Sequence, residues 1–163
     1  MMRRAAAPLF LLAGRLGLPA AVPAQGQAST APVVPCPAQA GIAPQRLYGL
    51  WRLSLWPEGG DEARPTSTGA MLFERHPEYT GGVRGHLKRS APGNDLNALV
   101  SGDIDDDGEF ALDESADGVR IDAAWIGSLP PAACGQEIRG VRHPAGPADG
   151  PPLNFLLRRP PGW

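Results

Sequence analysis

From Val83 to Trp125 apolar and polar residues alternate one by one through a series of short segments. Val83, Gly85 and Leu87 interleave with Arg84, His86 and Lys88. Leu96, Ala98, Val100 and Ile104 share one parity, with Asn97, Ser101 and Asp103 on the other. Phe110, Leu112 and Glu114 oppose Glu109, Ala111 and Asp113, and Val119, Ile121, Ala123 and Trp125 oppose Arg120, Asp122 and Ala124. A period of two sends one set of side chains to one face of a strand and the other set to the opposite face. The pattern therefore restricts this stretch to consecutive strands, each with one buried face. No window of useful length carries the three-to-four spacing of an amphipathic helix.

Extending the same rule along the chain gives about eight candidate strands, roughly 47–56, 67–75, 80–90, 95–104, 108–114, 118–127, 134–143 and 153–159. The separators suit hairpins: Asp107-Gly108, Asp117-Gly118 and Gly93-Asn94 supply residues that tolerate turn backbones. Short connections make neighbours antiparallel, so the expected fold class is all-β. A meander of this size removes its exposed edges most simply by closing into a single antiparallel up-and-down barrel. A two-sheet sandwich is the alternative. Gly49, Gly85, Gly102 and Gly140 fall inside proposed strands, where glycine marks strong coiling or close backbone approach.

One stretch reads two ways. Asp103 to Glu114 carries acids at loop positions 1, 3 and 5, Gly108 at 6 and Glu114 at 12, which is the string of a calcium loop. Such a loop needs a helix on each side. Here Gly102 and the alternating Leu96–Val100 precede it, and Ser115-Ala116-Asp117-Gly118 follows. The context favours a hairpin turning at Asp107-Gly108.

The first residues carry the pattern of an export signal: basic Arg3 and Arg4, a mostly apolar Ala5–Leu18, and small residues at Val22-Pro23-Ala24. Residues 1–24 are expected to be a signal peptide, 25–45 a flexible Pro/Ala/Gln-rich leader and 46–160 the barrel domain. The expected location is periplasmic or secreted, with no membrane anchor after processing. In an oxidising compartment Cys36 and Cys134 are most simply one disulfide. Closing a loop of about 100 residues would remove on the order of 4 kcal/mol of unfolded-chain entropy. A formal charge of -2 gives no electrostatic case for nucleic acid.

Gly49-Leu50-Trp51 stands on the first proposed strand, and Arg158-Arg159 closes the last. This arrangement resembles the calycin barrels, the lipocalins and avidins, whose first strand carries Gly-X-Trp. The resemblance implies that Trp51 forms the floor of the barrel, stacked with Arg158 or Arg159. It also implies a small molecule in the open mouth. Avidins follow their tripeptide with a turn that contacts biotin, whereas this chain continues Arg52-Leu53-Ser54-Leu55, so biotin is not the implied ligand.

Trp51, Trp56 and Trp125 are candidates to line a pocket, although inward aromatics also serve as plain core. Glu114 shares the parity of Phe110 and Leu112, and an inward carboxylate needs a partner, which Arg159 has the parity to supply. Trp51, Trp125, Glu114 and Arg159 are thus the expected ligand-binding residues. His76, His86 and His143 lie in separate segments without ligand spacing, so neither metal nor cofactor is expected. No nucleophile–base or phosphate-loop motif occurs, and an enzyme is not expected. The expected function is an exported, non-catalytic binding protein taking a small apolar or amphipathic ligand in the barrel mouth. The alternatives are an inhibitor of a secreted protease acting through residues 25–45, or a structural envelope domain with no ligand.

Overall fold

The computed structural model describes residues 43–90 and 95–162. The expected signal peptide, the leader up to residue 42 and Cys36 lie outside them. Each alternating segment is a strand, and the eight are β1 (Gly49–Pro57), β2 (Ser67–Arg75), β3 (Val83–Ser90), β4 (Leu96–Ile104), β5 (Glu109–Ser115), β6 (Ala123–Ser128), β7 (Glu137–Pro144) and β8 (Leu153–Arg158). Every strand pairs antiparallel with its sequence neighbours, and β1 pairs with β8 to close the barrel. Closure leaves no open edge, which resolves the choice between barrel and sandwich.

Burial follows parity most cleanly in β3, β4 and β5, whereas Leu55-Trp56 in β1 and Phe155-Leu156-Leu157 in β8 are buried in succession. In β3 the odd positions Val83, Gly85, Leu87 and Arg89 are buried and the even ones exposed, and β5 alternates in the same way. The interior is filled by Trp51, Phe73, Phe110, Trp125 and Phe155 with aliphatic residues between them. Phe73 meets Phe110 at 6.0 Å, Phe110 meets Phe155 at 6.2 Å, and Phe155 meets Trp125 at 5.1 Å, all tilted or edge-on. Three of these rings face glycine across the ladder: Phe73 opposite Gly85, Phe110 opposite Gly127 and Phe155 opposite Gly140. Large side chains thus occupy the space that glycine leaves. A Cβ on Gly85 would run into the Leu72 carbonyl oxygen, and one on Gly140 into that of Ile126. Tight coiling of the sheet requires glycine there.

The acidic stretch is the β4–β5 hairpin, as its context predicts. Asp105 Oδ1 accepts hydrogen bonds from the backbone of Asp107 (3.0 Å) and Glu109 (2.8 Å), and Gly108 takes a left-handed φ of 84°. Glu114, the would-be twelfth ligand, points into the barrel instead. No group of residues able to hold a metal ion occurs among the described residues.

One expectation is corrected. The sixth strand begins at Ala123 rather than near 118, and Val119 and Ile121 are exposed rather than inward. Asp117 Oδ1 accepts from the backbone of Val119 and Arg120 (both 2.8 Å), and Asp122 Oδ2 from that of Ala116 (2.7 Å). Side-chain carboxylates take the donors that a longer ladder would have used. Cys134, the described half of the expected Cys36–Cys134 pair, is not a free thiol. Cys36 is outside the described residues, and Cys134 sits off the ladder in a left-handed turn after Pro131–Ala133. Closure is made by the β1–β8 ladder.

Candidate ligand-binding site

In an eight-strand meander the odd strands all run one way and the even strands the other. The starts of β1, β3, β5 and β7 therefore gather at one end, and their last residues at the opposite end. The two ends of this barrel are built differently.

At the first end the chain enters through a 3-10 turn, Pro44–Arg46, held by Arg46 N–H donating to Ala43 O (2.8 Å) and Leu47 N–H to Pro44 O (2.9 Å). Gly49, at φ 107°, then lets the backbone swing from this turn into β1. Leu47 is driven beneath the barrel with no exposed surface, and its carbonyl accepts the Trp51 Nε1 proton at 2.7 Å. The guanidinium of Arg159 lies over the Trp51 ring, 4.6 Å from its centre, and donates to the carbonyls of Arg46 and Tyr48. Burial lowers the Arg159 pKa from its ordinary value. Of the two arginines expected against Trp51, Arg159 makes the stack. Arg158 faces outward and pairs with Glu137.

At the second end inward charged residues replace the apolar ones. Glu114, at the end of β5, accepts from Trp125 Nε1 (2.9 Å), from Arg142 Nε (2.8 Å) and from Arg142 Nη2 (3.0 Å). Both Glu114 and Arg142 are buried, and the Arg142 guanidinium lies 5.9 Å from the Trp125 ring centre. The two-pronged Arg–carboxylate pairing satisfies the buried charge with good geometry.

Beside this pair stands Arg89, at the end of β3. It is 8% exposed, and its Nε has no hydrogen-bond partner among the described residues. Burial first, and then the charge of Arg142, lower its pKa from the ordinary arginine value, while Glu114 acts the other way. These three residues and Leu96 bound a hollow of about 380 Å³. Its rim is formed by the β5–β6 loop (Ala116, Arg120, Asp122) and the β7–β8 loop (Ala148, Asp149). Arg120 and Asp122 are paired at 2.8 Å. Two other clefts are larger: one of about 780 Å³ lies outside the stoppered end, between Pro44, the β2–β3 loop and the β4–β5 turn, and one of about 410 Å³ runs along the outer sheet surface near Leu99. They lack the buried charge that distinguishes the mouth.

The expected site residues thus divide between the ends. Trp51 and Arg159 stopper one end, whereas Trp125 and Glu114 belong to the other. The expected Glu114–Arg159 pairing is replaced by Glu114–Arg142. Parity places Glu114 and Arg159 on the same face, but β5 finishes at the mouth and β8 at the stoppered end. Trp51 and Trp125 have no exposed surface, and Trp56 is packed on the outer side of β1. Arg89 and Arg142 went unmarked in the sequence, although inward parity at the ends of odd-numbered strands was a signal that picks out both.

No protein-family model matches the chain, and no curated protein matches it in sequence. The closed eight-stranded antiparallel barrel is consistent with the calycin architecture in general. No helix among the described residues is long and apolar enough to cross a membrane.

Proposed function

We propose that this protein is an exported, non-catalytic binding module that takes a small molecule in the open mouth of its barrel. The observation that carries this reading is the contrast between the ends. One is stoppered by Leu47, Trp51 and Arg159, while the other holds a hollow of about 380 Å³ floored by buried charged side chains. A buried ion pair is commonly no more stabilising than well-packed apolar residues of the same volume, so retaining one at the mouth favours a role in recognition. The volume falls within the range of roughly 300–1,000 Å³ typical of small-molecule pockets. A charged floor with Leu96, Ala116 and Ala148 around it suits an amphipathic ligand better than a wholly apolar one. Glu114 already accepts three hydrogen bonds, which favours holding Arg142 in place over acting as a general base. The Gly49-X-Trp51 strand with Arg159 stacked on it supports the calycin-like reading. Arg3-Arg4 and the apolar run after them support export.

Amide chemical-shift mapping with a library of small polar and amphipathic fragments tests the reading. Binders should move the resonances of Arg89, Leu96, Ala116, Asp122 and Ala148 and leave Tyr48 and Gly49 in place. Perturbations confined to the stoppered end or the outer sheet surface would refute it.

A further inference from the structure

We infer that the mouth is a carboxylate site, in which Arg89 receives the carboxylate of a small monoanionic ligand beside a floor fixed by the Glu114–Arg142 pair. The inference rests on the mouth being the binding site and names the chemical class that it takes.

The argument starts from donors and acceptors. A guanidinium has five N–H donors and cannot be discharged at physiological pH. Arg142 directs two of its nitrogens at Glu114. Arg89, almost as deeply buried, has an Nε–H with no acceptor among the described residues, although it lines the same hollow. A buried charge is ordinarily paired, because desolvation without compensation is costly. Here the acceptor that would complete Arg89 is missing from the protein side.

Charge decides the class. Arg89 and Arg142 place two positive charges on the floor against the single negative charge of Glu114, leaving a net +1. At the rim Arg120 is engaged by Asp122. Asp149 is felt by Arg120, whereas the charges acting on Arg89 are those of Arg142 and Glu114. One negative charge completes the floor. A carboxylate brings one charge and two in-plane oxygens that match the guanidinium fork. A doubly charged phosphate would leave a charge uncompensated in a partly dry site. Leu96, Ala116 and Ala148 offer apolar surface to the rest of the molecule.

Isothermal titration of the full chain with hexanoate, hexanol and inorganic phosphate tests this, using wild type, Arg89→Met and Arg89→Lys, with circular dichroism to confirm that each variant is folded. Hexanoate should bind wild type roughly tenfold or more tightly than hexanol, the return from a charge-assisted hydrogen bond in a shielded site. Arg89→Met should bring hexanoate down to the level of hexanol and leave hexanol unchanged. Arg89→Lys, which keeps the charge and loses the fork, should fall between and remains informative if the Met variant does not fold. Hexanol binding as tightly as hexanoate, or hexanoate binding unaltered in both variants, would overturn the inference while leaving a binding mouth in place. Phosphate binding as tightly as hexanoate would overturn the carboxylate assignment. No mouth binding by any of the three would count against both the inference and the reading beneath it.

Discussion

Replacing Arg89 with Met isolates the energetic effect of a buried cation whose partner is missing. Arg89 is 8% exposed, and its Nε–H meets no acceptor among the described residues. Leaving a buried donor unsatisfied costs about 1–3 kcal/mol. Met has an unbranched stem of comparable reach, so the substitution keeps the packing opposite Leu96 and Gly69 and opens little cavity. The neighbouring charges offset one another: removing Arg89 ends its repulsion from Arg142 and forfeits its attraction to Glu114. The variant is therefore expected to be more stable than wild type by about 1–3 kcal/mol in the absence of ligand. For a domain of this size the midpoint of thermal unfolding should rise by about 4 °C per kcal/mol. Urea unfolding at pH 7, followed by far-ultraviolet circular dichroism and Trp fluorescence, should show a higher midpoint with the slope unchanged. Hexanoate at one fixed concentration should then raise the midpoint of wild type more than that of the variant, since a ligand stabilises the folded state in proportion to how tightly it binds it. A lower midpoint with an unchanged slope and no added ligand would refute the reasoning, because it would mean that the Arg89 guanidinium is already well paired in solution.

Further expectations concern other groups of the barrel. Glu114→Gln strips Arg142 of its counter-charge inside the barrel and should cost roughly 3–5 kcal/mol in chemical denaturation, most of it recovered by adding Arg142→Met. Arg159→Ala removes the stack on Trp51 and the donors to Arg46 and Tyr48, so it should cost roughly 1–3 kcal/mol yet leave affinity at the mouth unchanged. Gly140→Ala sets a Cβ against the Ile126 carbonyl and should cost about 3 kcal/mol or more, read as a drop in unfolding midpoint. Glu62 has its pKa lowered from the ordinary 4.5, chiefly by its hydrogen bond to Arg139. Its folded value lies below its unfolded one, so this stabilisation is present above about pH 4.5 and is lost as pH falls through the folded value. Glu62→Gln should therefore match wild type in strong acid and be less stable at pH 6, by under about 1 kcal/mol for so exposed a pair.

Much of this was readable from single residues, and the misses have two causes. Alternation tells which face of a strand a side chain takes, and it placed Trp51, Phe110, Leu112, Glu114 and Trp125 inside the barrel. Alternation says nothing of height along the barrel axis. Glu114 and Arg159 share a face yet belong to opposite ends, so the carboxylate finds Arg142 instead. Height follows only once the strands are counted as running alternately up and down, and the same count brings Arg89 and Arg142 to one mouth. Val119 and Ile121 misled for another reason. Their alternation continues that of Ala123 and Trp125, but Asp117 and Asp122 capture the backbone donors around them and hold the segment as a loop. The stack of Arg159 on Trp51 was legible through the Gly49-X-Trp51 resemblance, which pointed to an arginine at the end of the last strand.

The Nε–Hε resonance of Arg89 in a side-chain arginine NMR spectrum tests the central claim most directly. On titration with hexanoate this signal should shift and become protected from solvent exchange, as its unmade hydrogen bond finds an acceptor. Arg142, already held by Glu114, should move little, and Arg52, exposed on the outer face of β1, not at all. A response confined to exposed arginines, with the Arg89 signal unmoved, would contradict the account.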